Sequence, residues 1–288
     1  MDKKLERELI ERVKKDPFIL KDIEEQTEAI CLVVVEREGN LLTLVKKEYR
    51  TPTLCLAAVK NNGSALEYVE NQTPELCRIA VEQNEYALQY VKNQTEDLCL
   101  YCVSRDGSTL EYVKNQTAKI CEAALANKSK AIEYVKHQTK DMCMRAIKDK
   151  GDNLAFVNKQ TPEMCLEAVR QNGRNIQYVE NQTEDICIEA VKNTPTAIHY
   201  VKKLTPNIMK AALSTDLSAF VSIENNKKNY LNVLRILSEG KYNNDKKFLD
   251  MIYYKIHKTF PNDKDISEFY KSGTKGYYYV KKGKELAK

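Results

Sequence analysis

Nine cysteines in a chain of 288 residues are the first side chains to suggest chemistry, and Cys99-Leu-Tyr-Cys102 has the C-x-x-C spacing of a zinc half-site or a thiol–disulfide couple. A tetrahedral zinc site needs a second Cys or His pair, and none is present: His137, His199 and His257 are scattered. The Asn-Gln-Thr triplets ending at Thr73, Thr95, Thr117 and Thr183 have the form of glycosylation acceptors, but the first fifteen residues alternate charge and offer no apolar run, so the triplets are expected to stay unmodified and their Thr to serve as a cap. No phosphate-binding loop, dinucleotide fingerprint, nucleophile elbow or kinase signature occurs. The sequence therefore assigns no catalytic residue, no metal and no cofactor, and the expected class is a non-enzymatic protein.

The positions of the cysteines explain most of them. Threonines stand at 27, 51, 73, 95, 117, 139, 161, 183 and 205, with one spacing of 24 and then seven of 22. The fourth residue after each is Cys31, Cys55, Cys77, Cys99, Cys121, Cys143, Cys165 or Cys187, with Met209 in the last copy. One small, apolar side chain per copy suits a packed core column, and Cys102 occupies the place that is Ala80 and Ala124 elsewhere.

Stepping outward from that column, each copy reads as a helical hairpin. Thr is an N-cap, and Pro follows at 52, 74, 162 and 206, where a missing N–H costs nothing. Acids such as Glu75, Asp97 and Asp185 sit in the first turn, where the helix dipole favours them. Places three, four, seven and eight form an apolar stripe, as in Leu76, Cys77, Ala80 and Val81. Gly at the twelfth place (Gly39, Gly63, Gly107, Gly151, Gly173) is expected to end the first helix in a left-handed conformation. A shorter second helix follows, with Tyr68, Tyr90, Tyr112, Tyr134, Phe156, Tyr178 and Tyr200 expected inward.

A 22-residue hairpin cannot bury its own apolar face, so copies must stack and share one core. The fold expected is all-α: a right-handed α-solenoid of about ten two-helix repeats over residues 1–223, starting near 5, 27, 51, 73, 95, 117, 139, 161, 183 and 205. The stretch from Val13 to Gln26 matches that from Val191 to Leu204 in its turn Pro and apolar spacing, with charge where other copies carry Tyr, and reads as an N-terminal cap. Residues 224–288 lose the period; two amphipathic stretches, Asn229 to Leu237 and Lys247 to Lys258, are expected to cap the last hairpin, with a basic tail beyond.

The unit T-x-E-x-C-x-x-A-V-x-x-N-G-x-A-L-x-Y-V-x-N-Q resembles the short tandem helical repeats of a domain family of unknown function, abundant in giant viruses of amoebae and found in some bacteria. The resemblance covers roughly residues 5 to 223. It implies an α-solenoid and a viral source, and brings no activity with it.

Binding is what remains for the sequence to describe. Residues 224–288 hold 15 Lys and Arg against 8 Asp and Glu, whereas 1–223 hold 31 against 33, so the basicity lies in the tail. There Tyr277, Tyr278, Tyr279, Lys281 and Lys282 interleave aromatic and cationic groups, a pattern compatible with nucleic-acid contact or with a merely solvated tail. On the repeats, Lys92, Lys114, Lys136 and Lys202 share one place near the end of the second helix, with Lys159 and Lys203 beside it. That ladder either tracks an extended partner or complements the helix dipole. The tenth and thirteenth places (Arg37, Asn61, Gln83, Arg105; Asn40, Ser64, Tyr86, Ser108) vary in type, as a partner-reading surface would. The partner expected first is another protein or peptide, and nucleic acid second. No stretch approaches the ~20 apolar residues of a membrane span, and the expected location is cytoplasmic: host cytoplasm, or virion if viral.

Overall fold

The computed structural model describes residues 1–239 and 246–271, with the side chains of residues 239, 246–248 and 268–271 left out of account. The tail residues Tyr277, Tyr278, Tyr279, Lys281 and Lys282 lie outside the described residues. The chain groups into two compact units, Met1–Met142 and Cys143–Lys288. All the described secondary structure is helical.

In the first unit each α-helix is followed by a six-residue 3-10 helix. The α-helices are α1 Lys3–Lys15, α2 Glu28–Arg37, α3 Pro52–Asn61, α4 Pro74–Gln83, α5 Glu96–Arg105 and α6 Ala118–Asn127; the unit boundary falls within α7, Lys140–Asp149. The 3-10 helices are Pro17–Asp22, Gly39–Leu44, Gly63–Tyr68, Glu85–Tyr90, Gly107–Tyr112 and Ser129–Tyr134, and consecutive ones touch, as do consecutive α-helices. In the second unit Gly151–Phe156 is followed by α8 Pro162–Gln171 and Gly173–Tyr178, α9 Glu184–Asn193 and Pro195–Tyr200, and α10 Pro206–Thr215 and Leu217–Ser222. Then come α11 Lys227–Glu239, α12 Lys246–Thr259 and α13 Lys264–Lys271. This is a helical-repeat solenoid architecture, with ten pairs of an α-helix and a 3-10 helix among the described residues.

The α-helices form as the sequence predicts. Thr Oγ1 accepts from the N–H three residues on, as at Leu76 (3.2 Å) and Leu98 (3.3 Å). The same hydroxyl can donate backwards: Thr117 donates to Glu96 at 3.1 Å, and Thr51 and Thr205 donate to Glu28 and Glu184. The stripe at places three, four, seven and eight is buried in each repeat that begins with a capping Thr; in α4 it is Leu76, Cys77, Ala80 and Val81, whereas α1 buries only Leu9 and Val13.

The second element differs from expectation. It is a 3-10 helix, whose three residues per turn bring Gly63, Leu66 and Val69 onto one buried face. Its start is capped by the residue before the twelfth place: Asn62, Asn84, Asp106 and Asn172 accept from the N–H two residues on, at 2.8–3.0 Å. No described residue, glycine included, has a positive φ. The glycines are thus not left-handed stops; close approach is what demands them. A Cβ on Gly63 would lie 2.3 Å from the Ala80 carbonyl oxygen of the next repeat, and one on Gly107 would lie 2.4 Å from that of Ala124.

The aromatic column is also not core. Tyr68, Tyr90, Tyr112, Tyr134, Phe156 and Tyr178 are half-buried and Tyr200 is exposed, because Leu and Val two places before and one place after fill the interior.

Glutamine just before each cap ties the layers together. Gln94 Nε2 donates to Leu88 O (3.0 Å) of its own 3-10 helix and to Tyr112 O (2.9 Å) of the next, while its Oε1 accepts from Lys114 N at 2.9 Å. Gln26, Gln72, Gln116, Gln160 and Gln182 repeat the pattern. Where the spacing is 24, an extra 3-10 turn, Lys47–Tyr49, takes up the added residues and Arg50 replaces Gln, donating to Val45 O (2.9 Å) and Tyr68 O (2.8 Å). Leu204 holds this place before the last repeat.

After the last pair, α11 packs on α10 and α12 on Leu217–Ser222, the capping expected of them. Tyr230 anchors the junction, with its ring 5.5 Å from Phe220 and 5.8 Å from Phe260. A third helix, α13, adds to the two amphipathic stretches; Lys227 holds its start through Asp263 (2.9 Å) and Asp265 (2.5 Å).

Replacing Gln94 with Leu removes its three bonds to the backbone and the long one from Cys99 Sγ (3.8 Å), and leaves two carbonyls and an amide without their partner. The expected cost is about 1–3 kcal/mol, read by denaturant unfolding, with the helical circular dichroism of the folded state retained. Burial pushes the thiols up, Cys31 and Cys187 to about 11 and Cys102 to about 12, from an ordinary value of 9.0. Because the folded values lie above the unfolded one, this contribution to stability is intact below pH 9 and is lost progressively as pH rises towards 11–12. A chemical-denaturation series from pH 7 to 11 should show stability falling only above pH 9, and thiol reagents should react with all nine cysteines only after unfolding.

Candidate binding surface

The lysines of the ladder are exposed, but their ammonium groups reach back to the preceding layer. Lys114 Nζ donates to Val91 O and Lys92 O, both at 2.9 Å, at the end of the preceding 3-10 helix. Lys92 reaches Val69 O (3.3 Å) and Glu70 O (2.7 Å), Lys136 reaches Val113 O (3.2 Å) and Lys114 O (2.9 Å), and Lys202 reaches Val179 O (3.2 Å) and Glu180 O (3.1 Å). Lys46 belongs to the same column and reaches Glu24 O at 2.7 Å. Each ammonium lies across carbonyls that the helix end leaves free, so the column fastens one layer to the last. Lys159 and Lys203 are exposed and stand one place outside it.

The tenth place is a second fastening and not a variable surface. Asn61 Oδ1 accepts from Gly39 N (2.8 Å) and Gln83 Oε1 from Gly63 N (2.6 Å); Asn127 and Asn193 accept from Gly107 and Gly173 at 2.7 and 2.8 Å. The side-chain amide then donates to carbonyls at the end of the previous α-helix, as Asn127 does to Ser104 O at 3.0 Å. Where Pro195 has no N–H to offer, the tenth place of the next repeat is Thr215.

Arg37 and Asp149 at the tenth place and Ser129 at the twelfth also depart from this rule, and the layer between α4 and α5 departs from it with an ion pair. Glu85 replaces the glycine and Arg105 the amide; the two form an ion pair at 3.6 Å, and α4 touches α5 far less than α5 touches α6. Other departures gather here. Tyr101 lies between the guanidinium groups of Arg78 (5.5 Å) and Arg105 (5.6 Å), and Tyr86 donates to Asp106 Oδ2 at 2.7 Å while meeting Tyr112 edge-on at 6.1 Å. A groove of ≈430 Å³ opens between α3 and α4 over Leu56, Val69, Leu76 and Ile79, bridged at its rim by Lys47 and Glu70 at 2.7 Å. A second groove, ≈660 Å³, lies between α4 and α5.

The column that stacking leaves over is the aromatic one. In the first unit Tyr68, Tyr90, Tyr112 and Tyr134 come from touching 3-10 helices, one phenol per layer, half-exposed. Beside them Glu67, Glu111 and Glu133 are exposed, with Gln89 in the second layer of that row. Burial, then the adjacent Glu67, raises the Tyr68 phenol; burial, then Glu111, raises Tyr112; burial, then Glu133 and Glu111, raises Tyr134. The hydrogen bond to Asp106 pushes Tyr86 up to about 12. At neutral pH the face therefore presents protonated phenols beside fixed negative charge. In the second unit the same two columns read Ala155-Phe156, Gln177-Tyr178 and His199-Tyr200, without the acids.

The cysteines offer no reactive centre. All nine are free and buried, Cys99 and Cys102 among them, and their thiols are held in the protonated form by burial. No group of three His, Cys, Asp or Glu able to hold a metal occurs among the described residues, and no helix among them is long and apolar enough to cross a membrane.

Two segments, residues 51–95 and 161–205, match the family described as domain of unknown function DUF4116. Each spans two 22-residue periods, one pair in each unit. Comparison with curated proteins and with solved structures returned no match.

Lys114→Met should cost about 1 kcal/mol of stability by denaturant unfolding, since two carbonyls lose a charged donor at a partly solvated site. It should leave the affinity for single-stranded RNA, measured by anisotropy at low salt, unchanged.

Proposed function

We propose that the protein is a non-enzymatic scaffold that holds another protein or peptide on its repeat surface. The observation that carries this reading is the tyrosine ladder of the first unit. Gln, Lys, the tenth-place amides and Gly are all used to join layers, whereas the phenols contribute only part of their surface to packing. A solenoid supplies such a column at regular intervals along an extended surface, which suits a polypeptide partner. Tyrosine offers a large contact area and a hydroxyl donor at low entropic cost, as interface residues do.

The alternative, nucleic-acid association through the lysine ladder and the basic tail, is weaker on the repeats. The ladder's ammonium groups face backbone carbonyls, and acids line the aromatic column, where they repel phosphate. Catalysis is not part of the proposal, and the buried thiols and scattered histidines support leaving it out. The setting we propose, on the family resemblance, is the cytoplasm of a virus-infected host or the virion itself.

Chemical cross-linking in the native cell, followed by mass spectrometry, tests the proposal. A partner polypeptide should cross-link to the wild-type chain and be reduced at least tenfold with Tyr90→Ala/Tyr112→Ala/Tyr134→Ala, a variant expected to keep its fold because the rings are half-exposed. Equal capture by both chains would place the interaction elsewhere, and RNA as the ladder-dependent adduct would replace this reading with the alternative.

A further inference from the structure

We infer that the tyrosine ladder of the first unit is a docking face for a cationic, proline-rich segment in the polyproline II conformation. This rests on the scaffold reading and names the partner's chemistry.

Three observations converge. The first is spacing. Adjacent helices pack at roughly 8–10 Å, so Tyr68, Tyr90, Tyr112 and Tyr134 recur at about that interval along the stack. A polyproline II helix advances about 3.1 Å per residue with three residues per turn, or about 9.3 Å per turn, so one turn of ligand meets one layer. An α-helix matches a layer only over two turns, about 10.8 Å, and drifts out of register by a few ångströms over four layers.

The second is side-chain chemistry. A polyproline II segment has no internal hydrogen bonds, and its outward carbonyls accept from donors on an aromatic-lined surface. Half-exposed phenols, protonated at neutral pH, are such donors, and their ring faces take the flat pyrrolidine rings. Tyr86, edge-on to Tyr112 and held by Asp106, widens the platform at the layer where Glu85 and Arg105 replace the usual glycine and amide.

Charge is the third. Glu67, Glu111 and Glu133 lie beside the phenols, and Asp106 also acts on Tyr134. Of the nearby cations, Lys128 and Lys130 are each within 3.7 Å of an acid, Asp106 and Glu133, while Arg50, which also acts on Tyr68, is held by the Val45 and Tyr68 carbonyls. A ligand carrying Lys or Arg once per turn would set its cations along the acidic row, whereas an acidic ligand or a phosphate backbone would be repelled.

Fluorescence anisotropy with the full-length protein and four labelled probes tests this: (Arg-Pro-Pro)4, (Arg-Gly-Gly)4, (Glu-Pro-Pro)4 and oligouridine. The expected result is binding of (Arg-Pro-Pro)4 at least tenfold tighter than the other three, and at least tenfold weaker with Tyr90→Ala/Tyr112→Ala. Tyr90→Phe/Tyr112→Phe, which keeps the rings and removes the hydroxyls, should give an intermediate loss, with unchanged circular dichroism showing that each variant is folded. Equal binding of (Arg-Gly-Gly)4 would reduce the effect to charge and overturn the conformational claim. No binding of (Arg-Pro-Pro)4, insensitivity to the alanine pair, or preference for oligouridine would each overturn the proposal. If (Arg-Pro-Pro)4 fails while a polypeptide still cross-links through the ladder, the scaffold reading survives and only the ligand class falls.

Discussion

Carbonyl groups at the ends of very short helices govern this molecule. An α-helix of ten residues followed by a six-residue 3-10 helix leaves a large share of its backbone acceptors without partners inside the hairpin. Water cannot serve them all once layers stack, so the layers themselves must. Gln, Lys and the tenth-place Asn or Gln each cross to a neighbouring repeat and end on a carbonyl, and each is a side chain long enough to span the gap. Hydrophobic burial holds the layers together; these three polar columns decide at which register they meet. The close approach at Gly63 and Gly107 follows, since only a residue without a Cβ lets the next helix carbonyl come near enough.

Much of the architecture is readable from residue types because packing is periodic. Thr, Cys, Ala and Val recur at helical spacing, and their burial and capping in the structure follow from that pattern. The polar columns are less readable. Lysine at a repeated place looks solvent-directed until the carbonyls of the preceding 3-10 helix are known to lie within reach, and Gln72 or Gln94 looks like filler before a cap. A signal was available: glutamine precedes seven of the nine capping threonines, and an exposed filler has no reason to stay one residue type. The period of three in Gly63, Leu66 and Val69 likewise distinguishes a 3-10 helix from an α-helix, but over six residues it is easily taken for a short amphipathic turn.

The aromatic column shows the limit from the other side. Tyr at a fixed place beside Leu and Val reads as core by composition, yet smaller neighbours fill the interior and leave the phenols at the edge. What marks the first unit as the place of interest is a contrast between copies. Acids accompany the phenols at Glu67, Glu111 and Glu133, and the layer bearing Glu85, Tyr86 and Tyr101 departs from the stacking rule. In a repeat protein the shared residues largely describe assembly, so the exceptions are where selection for something else can be seen.

Every cross-layer bond described above joins residues 18 to 23 positions apart, as in Gln94 with Tyr112 and Asn127 with Ser104. A gene segment encoding one period therefore carries, in its own length, both halves of every fastening it will need. Unequal recombination could lengthen or shorten the array by whole layers without orphaning a single donor. Arg50 shows that even an out-of-frame join of two extra residues is repairable by one longer side chain. Array length is thus evolutionarily cheap in this design, and the number of layers is open to selection by the size of whatever lies along them.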